Sequence, residues 1–223
     1  MLLEALIGFS IIATVIFHQY FLTVFEAAPF SPPRKYTLYV YSLLSSIVYT
    51  FLYGYQLIFE TRSITGNFSV LEQVLLGSHV GYFMSDCYEV YKLRFYPYIA
   101  HHLMGILFCY LVYLKNYPGY FTFGMFNAEI SAILVNLRYL LLKRYGKLSD
   151  SYEFCNLVIY GFFRILVTFG FQIWYFYLRQ ETVYPLDLTE WGVTACQLSY
   201  LGMSSVWFIQ LIKMYRKRGK ILQ

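Results

Sequence analysis

The chain has 223 residues and a formal net charge of +5; 59% of it is hydrophobic, 22% aromatic and 13% charged. An ordinary globular domain holds about 45–50% apolar and about 25% charged residues, and a soluble protein of this length has too little interior to hide the excess. Disorder, which needs low hydrophobicity and high charge, is excluded; the bilayer is the expected solvent, and the positive charge points to anionic lipid and away from nucleic acid, since no basic stripe interleaved with aromatics stands outside the apolar stretches.

A membrane-spanning helix needs roughly 20 mostly apolar residues. The first stretch, residues 3–25, follows Met1-Leu-Leu-Glu4 without a basic flank. It outruns a signal-peptide core and meets Glu26 and Pro29 with no cleavage site, so it is expected to be retained. Polar and proline-bearing breaks then separate residues 36–59, 70–91, 97–114, 120–142, 154–178 and 191–212, which completes seven spans. All six prolines stand in the breaks or at a segment start, so no span is interrupted. The expected organisation is an all-α, multi-pass membrane bundle. Residues 1–35 form the first helix and its connection, 36–215 the main domain and 216–223 a basic tail.

Seven spans place the termini on opposite sides. Arg62, Lys115 and Arg179 fall on the N-terminal side. Arg34, Lys35, Lys92, Arg94, Lys143, Arg144, Lys147, Lys213, Arg216, Lys217, Arg218 and Lys220 fall on the other, a bias of 12 to 3. The positive-inside rule then puts the C-terminus in the cytosol or matrix and the N-terminus outside or in a lumen. Endoplasmic reticulum is the expected membrane, with the mitochondrial inner membrane as the alternative. The basic tail, at about 1 kcal/mol per residue near an anionic leaflet, reads as a topology anchor. Asn67-Phe68-Ser69 matches a glycosylation sequon on the outer side but abuts the third span.

Ionisable groups inside spans cost about 2.5–3.5 kcal/mol each at span centre and persist only when paired, hydrated or useful. At 1.5 Å of rise per residue, Asp86 lies roughly 7 Å from the basic end, His101 and His102 roughly 6–7 Å, and Asn136 roughly 9 Å. These groups share one level. Glu129 at roughly 20 Å and Arg164 at roughly 15 Å share a deeper one, which suggests an ion pair near the midplane. His79, Tyr82, Asp86 and Glu89 form one stripe on the third span, and Glu129 and Asn136 form another on the fifth. Arg138 faces the other way and reads as snorkelling to the basic-side interface. Adjacent histidines stand about 100° apart on a helix, so His101 and His102 cannot both point at one centre. Each of these residues also has a plainer reading, a satisfied buried polar group that holds helices in register.

Cys87, Cys109, Cys155 and Cys196 are spread through apolar stretches without ligand spacing and read as reduced core residues. With four histidines and no HExxH, HxxxH or HxxHH, no metal site is expected. GxSxG, GxxxxGKS and GxGxxG are absent from the sequence. A seven-span receptor shares the topology, but the spans lack internal prolines and the outer loops lack a cysteine pair.

From Tyr82-Phe-Met-Ser-Asp86, through Ile99-Ala-His-His102, to Ala128-Glu-Ile-Ser-Ala-Ile-Leu-Val-Asn-Leu-Arg138 and Phe-Phe-Arg164, the sequence resembles a TLC domain. This is the membrane domain of ceramide synthases and of a set of smaller lipid-homeostasis proteins, and the likeness covers roughly residues 36–215. It implies six helices in a barrel around a cavity with a seventh beside it. In ceramide synthases the His pair and downstream aspartates serve acyl transfer from acyl-CoA to a sphingoid amine, and His101 and His102 match that pair. No His-Asp-x-x-Asp cluster follows here; Glu129 and Asn136 stand in that region. The closer likeness is therefore to the shorter, non-synthase members.

Two functions follow. In the first, the protein binds or modifies acyl lipids in phospholipid or ceramide homeostasis. His101 or His102 acts as general base or acyl acceptor, Asp86 orients the imidazole, and Glu129, Asn136, Arg164, Tyr82 and His79 line the lipid site. Acyl-CoA or an acyl lipid is the substrate, and no cofactor is required. In the second, the protein is a non-catalytic lipid-binding subunit of a larger membrane assembly.

Overall fold

The computed structural model describes residues 2–27, 33–59, 65–180 and 187–219. Its elements are α1 (Leu2–Glu26), α2 (Arg34–Phe59), α3 (Val70–Lys92), α4 (Tyr96–Leu114), α5 (Pro118–Tyr145), α6 (Asp150–Gly161), a π segment (Phe162–Val167), α7 (Thr168–Gln180) and α8 (Leu188–Gly219). α6, the π segment and α7 run on as one membrane-length helix. The protein is an all-α, multi-pass membrane bundle. Arg62 and Lys220, and the side chains of Arg179, Lys217 and Arg218, lie outside the described residues.

Local chemistry sets the helix ends. Ser69 caps α3 in a reciprocal box: its hydroxyl accepts from the Glu72 amide at 3.2 Å, and its own amide donates to the Glu72 carboxylate at 2.7 Å. The sequon serine is thus the cap itself. Prolines open α4 and α5 in the first turn, where a missing N–H costs nothing. Gly146 closes α5 at a φ of 70°, the left-handed conformation that glycine adopts without strain. Caps of this kind carry α5 and α6 a few residues past the apolar limits expected from hydropathy, and α8 likewise runs on into its charged end.

Among the described residues, six helical units are long and apolar enough to cross a membrane. The third of the seven expected spans, α3, falls short of that hydropathy. Its polar residues are the reason: Glu72, Gln73, His79, Ser85 and Glu89 are all buried in the bundle. Protein, and not lipid, solvates them.

The ring runs α2, α5, α6 with the π segment, α8, α4 and α3. Between α3 and α2 it closes through side chains: Tyr53 on His79, and Ser42 on Tyr82. α1 stands outside and straddles this seam, packing along α3 and against α2. Gly77 and Gly81 let it approach. A Cβ on either would sit 2.6 Å from a backbone carbonyl of α1, that of Ile7 or of Ile11. This is the small-xxx-small contact by which membrane helices pack without a hydrophobic drive. Arg34 locks the basic end, donating to Glu89 through Nε at 2.5 Å and Nη2 at 2.7 Å, and pairing with Glu26 of α1. At the opposite end Tyr53, Phe68, Val112, Tyr117, Tyr120, Phe121 and Tyr175 pack into a closed plug. Large apolar side chains such as Phe9, Phe51 and Ile58 cover the outside.

Candidate functional site

Inside the ring is a cavity of about 370 Å³. All six ring helices line it and α1 contributes nothing. It runs from the basic end, at Lys35, Phe95 and Met214, to Ser46, Gly124 and Gln197 beneath the aromatic plug. Every sequence-predicted site residue except His79 is on its wall.

The upper level comes together as expected. His102 is 5% exposed and its Nε2 lies 2.6 Å from Asp86 Oδ2, across the α3–α4 seam. The contact is off the line of a good N–H hydrogen bond, and Nδ1 has no partner among the described residues. The seam is tight here because a Cβ on Gly105 would meet the Phe83 ring at 2.6 Å. Asn136 donates to the Ser42 hydroxyl at 2.9 Å, and that hydroxyl lies 3.1 Å from the Tyr82 hydroxyl. α2, α3 and α5 are thus tied about one helical turn along α3 from Asp86. His101 turns away from it, as the 100° step requires. Its ring stacks on Tyr200 at 5.8 Å and meets Trp207 edge-on at 5.3 Å, both on α8.

The deeper level differs from the expected ion pair. Glu129 does not pair with Arg164. Its Oε1 lies 3.0 Å from His79 Nε2, while His79 Nδ1 lies 2.9 Å from the Tyr53 hydroxyl. A carboxylate only accepts, so Nε2 is the donor to Glu129, and the Tyr53 hydroxyl occupies Nδ1. His79 is fully buried and fully satisfied behind the wall. Arg164 points elsewhere because the π segment adds to the turn around it and resets the helical phase. It donates from Nη2 to the Ala128 carbonyl at 2.9 Å and from Nε to the Ser131 hydroxyl, with its guanidinium 5.0 Å from the Tyr200 ring.

Arg138 also departs from expectation. It does not snorkel to the interface: Nε and Nη2 grip Glu153 of α6 at 2.6 and 3.1 Å, with both side chains largely buried. The turn between α5 and α6 folds Glu153 back onto α5, a pairing that spacing within one helix cannot reveal. Among the described residues no three His, Cys, Asp or Glu side chains come together as a metal set.

The sequence model of a known family, the TLC domain, matches residues 34–213. The chain belongs to the TLC-domain family. No curated protein matches it significantly. In this TLC domain the matched span begins at the first residue of α2 and ends within α8, so it takes in the six ring helices and leaves α1 outside the match.

Sequence reasoning missed several wall residues of this TLC domain. Tyr39, Ser42 and Ser46 follow one another at helical spacing on α2, a polar stripe that could have been found beside those of α3 and α5. Tyr200 and Trp207, seven apart on α8, gave no sign among so many aromatic residues.

Proposed function

We propose that this membrane protein holds an acyl lipid in the ring cavity and that the His102–Asp86 pair acts on it. The observation that carries the reading is a buried imidazole 2.6 Å from a partly buried carboxylate, both facing a ligand-sized cavity inside a membrane bundle. A carboxylate beside an imidazole orients the ring and stabilises its charged form, as general base catalysis or acyl acceptance requires. His101, on the other side of the same turn, faces the Tyr200 and Arg164 wall. Asn136, Tyr82 and Glu129 complete a polar surface for a head group, and His79 supports Glu129 from behind.

Acyl-CoA or another acyl lipid supplies the chain, and no cofactor is invoked. The endoplasmic reticulum is the proposed membrane, with the N-terminus lumenal and the C-terminus cytosolic. The expected partners are membrane lipids, and a larger membrane assembly would be compatible with the bundle's broad apolar exterior. The test is turnover and lipid content of the purified protein. Wild type should co-purify with, or convert, an acyl lipid; His102→Ala and Asp86→Asn should keep the fold and lose conversion. Undiminished conversion by both His101→Ala and His102→Ala rejects the catalytic role.

A further inference from the structure

Arg164 carries an inference that rests on this acyl-lipid reading and sharpens it. The residue is 7% exposed and lines the cavity from within the π segment. Two of its nitrogens are anchored to α5, Nε on Ser131 and Nη2 on Ala128. Nη1 is buried and has no partner among the described residues. A guanidinium nitrogen only donates, and a buried donor left unpaired is costly. What completes it is an acceptor in the cavity.

Charge and size narrow the acceptor. The charged side chains of the cavity wall are Lys35, Arg138, Arg164, Asp86 and Glu129, and Arg138 is held by Glu153 from outside the wall. Once Arg138 is set against Glu153, two cations, Lys35 and Arg164, stand against two carboxylates, Asp86 and Glu129. No surplus positive charge is left for a phosphate or a carboxylate, whereas a neutral carbonyl takes the free N–H without adding charge. A cavity of about 370 Å³ is at the small end for ligand sites, suited to one chain. We infer that Arg164 Nη1 donates to the neutral carbonyl of an ester or amide, so that the cavity selects single-chain acyl lipids over their ether analogues. The stacked Tyr200 ring joins Arg164 to His101, which sets that carbonyl beside the histidine pair.

The test compares monooleoylglycerol, its ether analogue 1-O-oleylglycerol, and oleate on the full-length protein in nanodiscs. Wild type should bind the ester about tenfold more tightly than the ether, the worth of one buried hydrogen bond. Arg164→Gln should bring that ratio close to one while leaving ether affinity unchanged. A readout on unaltered protein covers the case in which this variant fails to fold: the infrared carbonyl band of ¹³C-labelled monooleoylglycerol should move to lower frequency on binding. Equal ester and ether affinity in wild type, or an unmoved carbonyl band, overturns the inference and leaves the acyl-lipid reading standing. Tighter binding of oleate, lost in Arg164→Gln, overturns it in favour of an anion site. Binding of none of the three defeats the acyl-lipid reading itself.

Discussion

At the residue scale, the deeper polar level is held by one mutual contact. Glu129 and His79 satisfy each other, with Tyr53 taking the second ring nitrogen. Removing one of them leaves the other's buried donor or acceptor unpaired, which typically costs about 1–3 kcal/mol, and more for a carboxylate. Glu129→Ala should therefore lower the unfolding temperature in detergent far more than Glu129→Gln, whose amide can still meet His79. Equal losses in the two variants would show that the pair is not what holds this level. Depth was legible from sequence position: Asp86 and His102, expected at one level, meet across the α3–α4 seam. The partner was not. Depth is one coordinate, and the direction around the helix axis also depends on which helices are neighbours. Glu129 and Arg164 illustrate this: their depths are similar, but their side chains take different partners.

At the element scale, two departures from regular helix packing shape the cavity. One is the π segment, which interrupts the α-helical phase at Phe162–Val167 and turns Arg164 inward with one arm free. Its carbonyl pattern is partly mended by the Thr168 hydroxyl, which donates to Phe163 O at 3.1 Å. No proline or glycine pair announces it, so it was invisible to a reading by periodicity. The other is the glycine contact of α3 with α1. Its spacing, Gly77-x-x-x-Gly81, stands openly in the sequence, but what fills it is known only from the structure. Gly81→Val should force α1 off α3, at about the 1–3 kcal/mol typical of overpacking. Gly8→Ala, where an added Cβ meets nothing within 4 Å, should be neutral. Thermal unfolding of the two variants measures the contrast, and an unaffected Gly81→Val would mean that α1 is not docked through this contact.

At the scale of the whole molecule, polarity is turned inside out relative to a soluble domain. Phe9, Phe51 and Ile58 are 70%, 74% and 73% exposed, while Glu72, His79 and Glu89 are at most 1% exposed. The class and the number of long helices followed from composition and break spacing, since a hydrocarbon solvent permits few other backbones. The order of the helices around the ring did not, because every span is compatible with many neighbours. The closed aromatic plug at one end and the lining that reaches the basic end make the cavity a blind chamber, which α1 covers along its side-chain-closed seam. That an acyl chain occupies this chamber is the central claim. Its most direct test is photocrosslinking with a diazirine-tagged acyl lipid in native membranes, with adducts mapped by mass spectrometry. The account predicts adducts on chamber residues such as Met104, Ala132 and Val135; adducts confined to outer residues such as Phe9, Phe51 and Ile58 would contradict it.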